Sequence, residues 1–332
     1  MATKMYNGAK VLVTGGTGMI GRPLVEMLLA AGADVRIAAL DDISRANPAA
    51  EFMNGDLTDW DFCARAVQNV DMVFHLAGIK GAAGLSEQRP ASFMVPLLLF
   101  NTMVMESARR AGVDRMLYTS SIAVYEPSTR FVEDEAWNGP PHYGDRFPAW
   151  AKRMGELQAE AYKLEYGWDK IAIVRPANVY GPGDDFSPTG MVVPSLIRRV
   201  ADGESPLTVW GDGSTVRDFI HARDVAYGMM LAMEKGADCT PINLGSGSGV
   251  AIKDLVEVLV DIAPDVREVV WDTEKPTGEP VRLMDLTRAR EKIGFEPQIS
   301  LREGVQETYN WYLENRSNVA NRFNAFSKDG TT

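Results

Sequence analysis

The segment Thr14-Gly15-Gly16-Thr17-Gly18-Met19-Ile20-Gly21 constrains this chain more than any other. It follows a β-branched run, Lys10 to Thr14, and opens a helical pattern from Pro23 to Ala31 that Gly32 closes. A strand entering a helix through glycines spaced by three is the first turn of a doubly wound α/β sheet. Gly15 permits the tight turn, Gly18 lets a pyrophosphate approach the backbone, and Gly21 lets helix and strand pack closely. The phosphates then sit at the helix amino end, with Thr17, Met19 and Ile20 inside the same cradle.

The rest of the first half repeats this unit. Val35 to Leu40, Met72 to Leu76, Arg115 to Ser120 and Ile171 to Arg175 read as strands, with helices near Asp61 to Gln68, Leu98 to Ala111 and Ala149 to Tyr166 between them. Such alternation builds a parallel sheet with helices on both faces. The fold expected is therefore α/β, a Rossmann-type doubly wound parallel sheet over 1–180 with a smaller C-terminal substrate-binding region over 181–315. In that second region, loops rich in Gly, Pro and Asp alternate with helices at Pro194 to Ala201, Arg223 to Lys235, Ile252 to Ile262 and Leu301 to Asn315. Residues 316–332 read as a flexible polar tail carrying Phe323 and Phe326.

Composition removes other classes. The chain has 332 residues, 45% of them apolar, which suits an ordinary globular core. No apolar run approaches the ~20 residues that span a bilayer, and no export signal opens the sequence, so a cytoplasmic protein without a membrane partner is expected. Two distant cysteines, Cys63 and Cys239, make no disulfide framework, and His75, His142 and His221 lack metal-ligand spacing. A net charge of −11 argues against nucleic acid. An anionic substrate has to be held by a few local arginines.

Several later stretches fall in an informative order: Gly55-Asp56-Leu57, then His75-Leu76-Ala77-Gly78-Ile79-Lys80, then Tyr118-Thr119-Ser120-Ser121-Ile122-Ala123-Val124-Tyr125. Arg175-Pro176-Ala177-Asn178-Val179-Tyr180-Gly181-Pro182, Val209-Trp210-Gly211-Asp212-Gly213, Arg217-Asp218-Phe219-Ile220-His221 and Arg282 follow. With the glycine turn, they resemble the extended short-chain dehydrogenases, the nucleotide-sugar epimerases, dehydratases and reductases, from Val11 to about Tyr312. The resemblance implies that Asp56 and Leu57 meet the adenine, that Leu76, Ala77, Gly78 and Pro176 line the cofactor, and that Lys80 reaches its ribose and diphosphate. It implies that Ser121 hydrogen-bonds the reacting oxygen and that Lys152 binds the nicotinamide ribose. Asn178, Arg217 and Arg282 are implied to hold a sugar diphosphate, with Val193 and Trp210 on the substrate side. A guanidinium fork suits phosphate oxygens better than an ammonium does.

At the second strand, Asp41 and Asp42 follow Leu40, and carboxylates near the ribose would repel a 2′-phosphate. NAD is the expected cofactor, while Arg45 just beyond leaves NADP open. The resemblance breaks at one place. Its pattern is Tyr-x-x-x-Lys, and four residues before Lys152 stands Pro148, read here as the first residue of a helix. Ile122-Ala123 stands where 4,6-dehydratases carry an Asp-Glu pair, so epimerisation or keto-sugar reduction is expected, with a loose similarity to the fucose-synthase branch. Tyr143 or a bound water is the candidate replacement for the missing proton carrier. The alternative is a sensor or scaffold that binds both ligands without turnover. A homodimer through the two long helices is the expected assembly.

Overall fold

The computed structural model describes residues 4–79, 81, 85–188, 190–263, 268–275, 277–317 and 319. Lys80, Phe323 and Phe326 lie outside them. The strands run β1 Lys10–Thr14, β2 Asp34–Ala39, β3 Glu51–Asn54, β4 Met72–His75, β5 Arg115–Thr119, β6 Arg130–Phe131 and β7 Ile171–Pro176. They continue with β8 Asn178–Tyr180, β9 Leu207–Trp210, β10 Val216–His221, β11 Pro241–Leu244, β12 Gly249–Ala251, β13 Val269–Asp272 and β14 Val281–Met284. The helices are α1 Gly21–Ala30, α2 Trp60–Ala66, α3 Leu85–Gln88, α4 Pro90–Ala111, α5 Arg146–Tyr166, α6 Val192–Ala201, α7 Ala222–Lys235, α8 Ile252–Ile262 and α9 Leu301–Asn315.

One sheet has the order β3-β2-β1-β4-β5-β7-β11, and every pairing in it is parallel. Both faces are covered, which is why its strands read as continuous apolar runs. In β1, Val11 and Val13 join a core with Leu24 and Leu28 of α1 and Met229 of α7. Leu12 points the other way, to Val104 and Met105 of α4 and Ala151 of α5. A third core, including Phe186, Leu196, Leu255 and Tyr312, holds the smaller unit. There β10 lies between antiparallel β12 and parallel β14 and also pairs β8, so the small unit is stitched directly to the end of β7.

The observed architecture is the expected doubly wound sheet, with two edge strands that periodicity did not reveal. β3 (EFMN) has no buried residue, and β11 (PINL) is short and begins with proline. Because β11 joins the large sheet and α7 packs on it, the two regions interleave along the chain. Helix α4 starts well before Leu98 and carries Pro96 inside it, where a missing amide normally ends a helix. Phe93, Leu97 and Phe100 are buried on its first turns, and tertiary packing carries the helix through. By length and composition α4 would also cross a bilayer, contrary to the expectation that no such run exists. Here it is a helix of the core face, buried through Phe93, Leu97, Val104, Met105 and Ala108.

Helix α5 begins at Arg146, so Pro148 is its third residue and not its first. A proline is tolerated at that position too, since the first four amides of a helix have no partner within it.

Candidate active site

At the carboxyl end of β1 the glycines are where a dinucleotide needs them. Gly15 has φ +69°, and a Cβ on it would lie 3.0 Å from the Ala77 amide nitrogen. A Cβ on Gly21 would lie 2.2 Å from the Gly15 carbonyl oxygen, so α1 packs on the turn only as glycine. Gly18 faces open space apart from the Gly15 oxygen. No acid stands in the first turn of α1, and the amides of Met19 and Ile20 donate to no acceptor among the described residues. Unanswered amides at a helix amino end favour an anion.

Asp41 faces this turn. Thr17 Oγ1 donates to it at 2.5 Å, Arg45 stands 3.7 Å away, and the Asn54 side chain donates to the Asp41 carbonyl. Asp42 turns aside to cap the 3-10 turn Ile43–Arg45. Of the two carboxylates, Asp41 is thus the one beside the glycine turn. Asp56 accepts from the Thr58 amide, and Leu57 is buried beside Phe62. The amides of Leu76 and Ala77 both donate to Thr14 Oγ1, whose proton goes to His75 Nδ1. Burial, with Lys152 beyond it, pulls His75 down to about 3, so this ring stays neutral and serves as a strut. The open side of Gly18, the free amides and the facing carboxylate fit a dinucleotide diphosphate and ribose.

Next along the sheet edge are Ser121 and Lys152. Ser121, two residues past the end of β5, caps the 3-10 turn Ile122–Val124, and its Oγ accepts from the Ala123 amide, leaving the hydroxyl proton to be given elsewhere. Lys152 Nζ donates to the Thr119 carbonyl at 2.7 Å. The Tyr118 ring lies 5.3 Å from that ammonium, and its hydroxyl donates to the Lys152 carbonyl. A Cβ on Gly155 would strike the Tyr118 ring and hydroxyl at 2.3 Å, so Tyr118 fills a slot cut in α5. Burial pulls the lysine down to about 8, with Glu156 opposing. Pro176 is buried at the end of β7. Asn178 spends its amide on the Asp218 carbonyl across the β8–β10 pairing. Tyr143, in the 3-10 turn Tyr143–Asp145, is 75% exposed and makes no hydrogen bond to Ser121 or Lys152.

Behind them lies a buried polar network that the sequence pattern did not disclose. Arg175 gives Nε and Nη2 to Glu156 at 2.9 and 2.6 Å and Nη1 to the Tyr125 hydroxyl and the Glu133 carbonyl. Ser120 donates to the same Glu156, and Tyr125 donates to Asn243.

The third part is an arginine pair. Arg217 and Arg282 are direct partners in the β10–β14 register. Arg217 donates to the carbonyls of Val216, Glu279 and Thr277. Burial and then the charge of Arg282 draw it down to about 10, with Glu279 opposing. Arg282 lies over the Phe131 ring and faces Asp145 at 3.4 Å and Glu279 at 3.5 Å. Neither acid carries a sequence motif: Glu279 stands three residues before Arg282, and the fold brings Asp145 from 137 residues away. Trp210 is 59% exposed, with Lys275 over its ring, while Val193 is buried in the third core.

The family model described as "NAD dependent epimerase/dehydratase family" matches residues 11–245, spanning the glycine turn, Ser121, Lys152 and Arg217. The chain belongs to that family. The family is NAD dependent by description, and two structural neighbours, MoeE5 and the dTDP-glucose 4,6-dehydratase DesIV of Streptomyces venezuelae, carry bound NAD. This epimerase/dehydratase chain is 32% identical to a probable GDP-L-fucose synthase 1 of Oryza sativa subsp. japonica, over 93% of each. It is 31% identical to a dTDP-4-dehydro-6-deoxy-D-allose reductase of Streptomyces bikiniensis, over 94% of this chain and 98% of the other. Among solved structures it is similar to an epimerase of Methanothermobacter thermautotrophicus, with TM-score 0.86, 28% identity and 95% of each chain covered. The UDP-glucose 4-epimerase of Thermotoga maritima superposes with TM-score 0.81 at 29% identity, over 92% of this chain and 99% of that one. The family is one of nucleotide-sugar epimerases, dehydratases and reductases, and the chain is an enzyme of that type.

Proposed function

We propose that this enzyme epimerises or reduces a keto sugar carried on a nucleoside diphosphate, from a site that lacks the usual tyrosine. The observation that carries the reading is the in-register pair Arg217–Arg282, tied through Asp145 to the amino end of the helix that bears Lys152. Relatives named as GDP-L-fucose synthases and as a dTDP-keto-sugar reductase support it.

The arginine pair binds the sugar's diphosphate, Asn178 and Trp210 line the same side, and Asp41 with the α1 amides holds the dinucleotide. When bound, NAD exchanges hydride with the sugar carbon. Ser121 directs its free proton at the sugar oxygen. Lys152 holds the ribose and supplies positive charge beneath that oxygen. Pro148 offers no donor or acceptor, so the proton travels through water between Ser121 and Lys152 or through Tyr143.

Installing the missing group tests this. Pro148→Tyr should raise NADH oxidation with a nucleoside diphosphate keto sugar by roughly 10²- to 10⁴-fold, the worth of a positioned acid. No gain, with NAD and UDP still bound, would place the chemistry elsewhere. For the assembly, α4 and α5 expose Val95, Leu99, Met154 and Leu157, and the partner inferred for that face is a second copy of the chain. Sedimentation equilibrium of Leu99→Glu should shift toward monomer, and an unchanged mass would remove the assignment.

A further inference from the structure

We infer that Asp145 is a latch that the substrate's diphosphate displaces from Arg282, releasing the Tyr143 turn at the mouth of the site. The inference rests on the proposed nucleotide-sugar reading and follows from counting charge around the arginine pair. Arg217 and Arg282 face Glu279 and Asp145, two cations against two carboxylates. A nucleoside diphosphate sugar brings a negative charge on each phosphate into the same space, and the excess has to be relieved.

Glu279 is poorly placed to leave. Its carboxylate oxygens have no hydrogen-bond partner among the described residues, but they are buried, and its segment is fixed three residues before Arg282 and by its backbone carbonyl on Arg217, so it has no solvent-facing path out. Asp145 belongs to a different element and is 36% exposed. Its contact with Arg282 is long, at 3.4 Å, and Arg282 Nε has no hydrogen-bond partner among the described residues. A diphosphate oxygen in line with those N–H groups would outbid a carboxylate held so loosely.

Asp145 also has somewhere to go. It occupies the N-cap position of α5, where an aspartate normally accepts from the helix amides, yet it makes no cap hydrogen bond. Its backbone, at φ −104° and ψ 5°, departs from the extended geometry of a capping residue such as Ser300, at φ −66° and ψ 156°. Here the carboxylate is spent on Arg282. Once displaced, it can cap α5 through the Phe147 amide, because Pro148 has none to offer. These two positions give a two-state element at the start of the helix that carries Lys152. Tyr143, two residues before, moves with it.

The test uses the full chain loaded with NAD, titrated calorimetrically with UDP and with GDP at low salt. Asp145→Asn keeps a capping side chain and removes the charge, so it should bind the nucleotide about two- to fivefold tighter than wild type, the worth of one exposed ion pair. Tighter binding alone reports charge, and hydrogen exchange reports motion. In wild type, nucleotide should speed exchange of the amides of 143–146 and slow that of Phe147 as Asp145 caps it, whereas in Asp145→Asn this pattern should be present before any ligand is added. Equal affinities in the two proteins, or slower exchange of 143–146 in wild type on binding, would overturn the latch and leave the nucleotide-sugar reading standing. Failure of either protein to bind UDP or GDP while NAD binds would overturn both.

Discussion

Two arginine sites, one buried and one half-buried, are joined through the stacked rings of Tyr125 and Phe131 and are built to opposite ends. Arg175 meets Glu156 through two hydrogen bonds of 2.9 and 2.6 Å, and its remaining nitrogen serves Tyr125 and Glu133. Burial works against its charge, but Glu156 and Tyr125 more than offset this, and its pKa rises. Arg217 is half-buried and receives only carbonyls, and burial with the neighbouring Arg282 brings it down to about 10. Arg282 meets its carboxylates only at 3.4 and 3.5 Å. Arg175 is more deeply buried than Arg217, yet it keeps its charge the more firmly, so burial does not set their behaviour. What separates them is whether a carboxylate of fixed geometry completes the fork.

One substitution made at both positions sharpens the contrast. Arg175→Met leaves Glu156 buried without its partner and should cost roughly 3–5 kcal/mol of stability, read from urea unfolding. Arg217→Met should leave the unfolding curve within about 0.5 kcal/mol and remove roughly 1.5–3 kcal/mol of UDP affinity, as for a hydrogen bond to a charged group. If Arg175→Met unfolds like wild type, or Arg217→Met loses stability and keeps UDP affinity, the division between the two sites fails.

The same division separates what the sequence disclosed from what it did not. The glycine turn was legible because it imposes backbone requirements on consecutive residues: Gly15 at positive φ and Gly21 against the Gly15 carbonyl. Ser121, Lys152, Arg217 and Arg282 stood out one by one through resemblance. That Arg217 and Arg282 are neighbours is a property of the β10–β14 register, which no local period encodes. Asp145 and Arg282 are 137 residues apart, and neither Glu279 nor Glu156 sits in a motif that announces a partner. Val193 shows a different limit. An apolar residue on an amphipathic helix reads the same whether it lines a pocket or fills a core, and only packing places it in the third core. The edge strand β3 escaped because it is short and has no buried residue, and β11 because its four residues begin with proline and carry the polar Asn243 in place of a β-branched run.

Lys152 stands between the two sites and supplies the smallest of the expected effects. Burial pulls its ammonium from the ordinary 10.5 down to about 8, with Glu156 opposing, and its hydrogen bond to the Thr119 carbonyl fixes it near Ser121. In the folded chain this charge is lost as pH rises through about 8, while in the unfolded chain it persists to about 10.5. Between those values the unfolded state binds more protons, so this group alone makes stability rise with pH across that window. Contact with the NAD ribose should change the other way, because a neutral amine loses the charge-assisted part of its hydrogen bond, about 1 kcal/mol or roughly fivefold in Kd. NAD affinity of the wild type should thus weaken by about that factor between pH 7 and 9.5, and Lys152→Met should bind NAD weakly with a flat profile. The opposite slopes make the test selective, since general alkaline loosening of the fold would lower stability and affinity together. A wild-type NAD profile as flat as that of Lys152→Met would mean that the ammonium faces the sheet edge without touching the cofactor, and Lys152 would then belong with Arg175 among the structural cations.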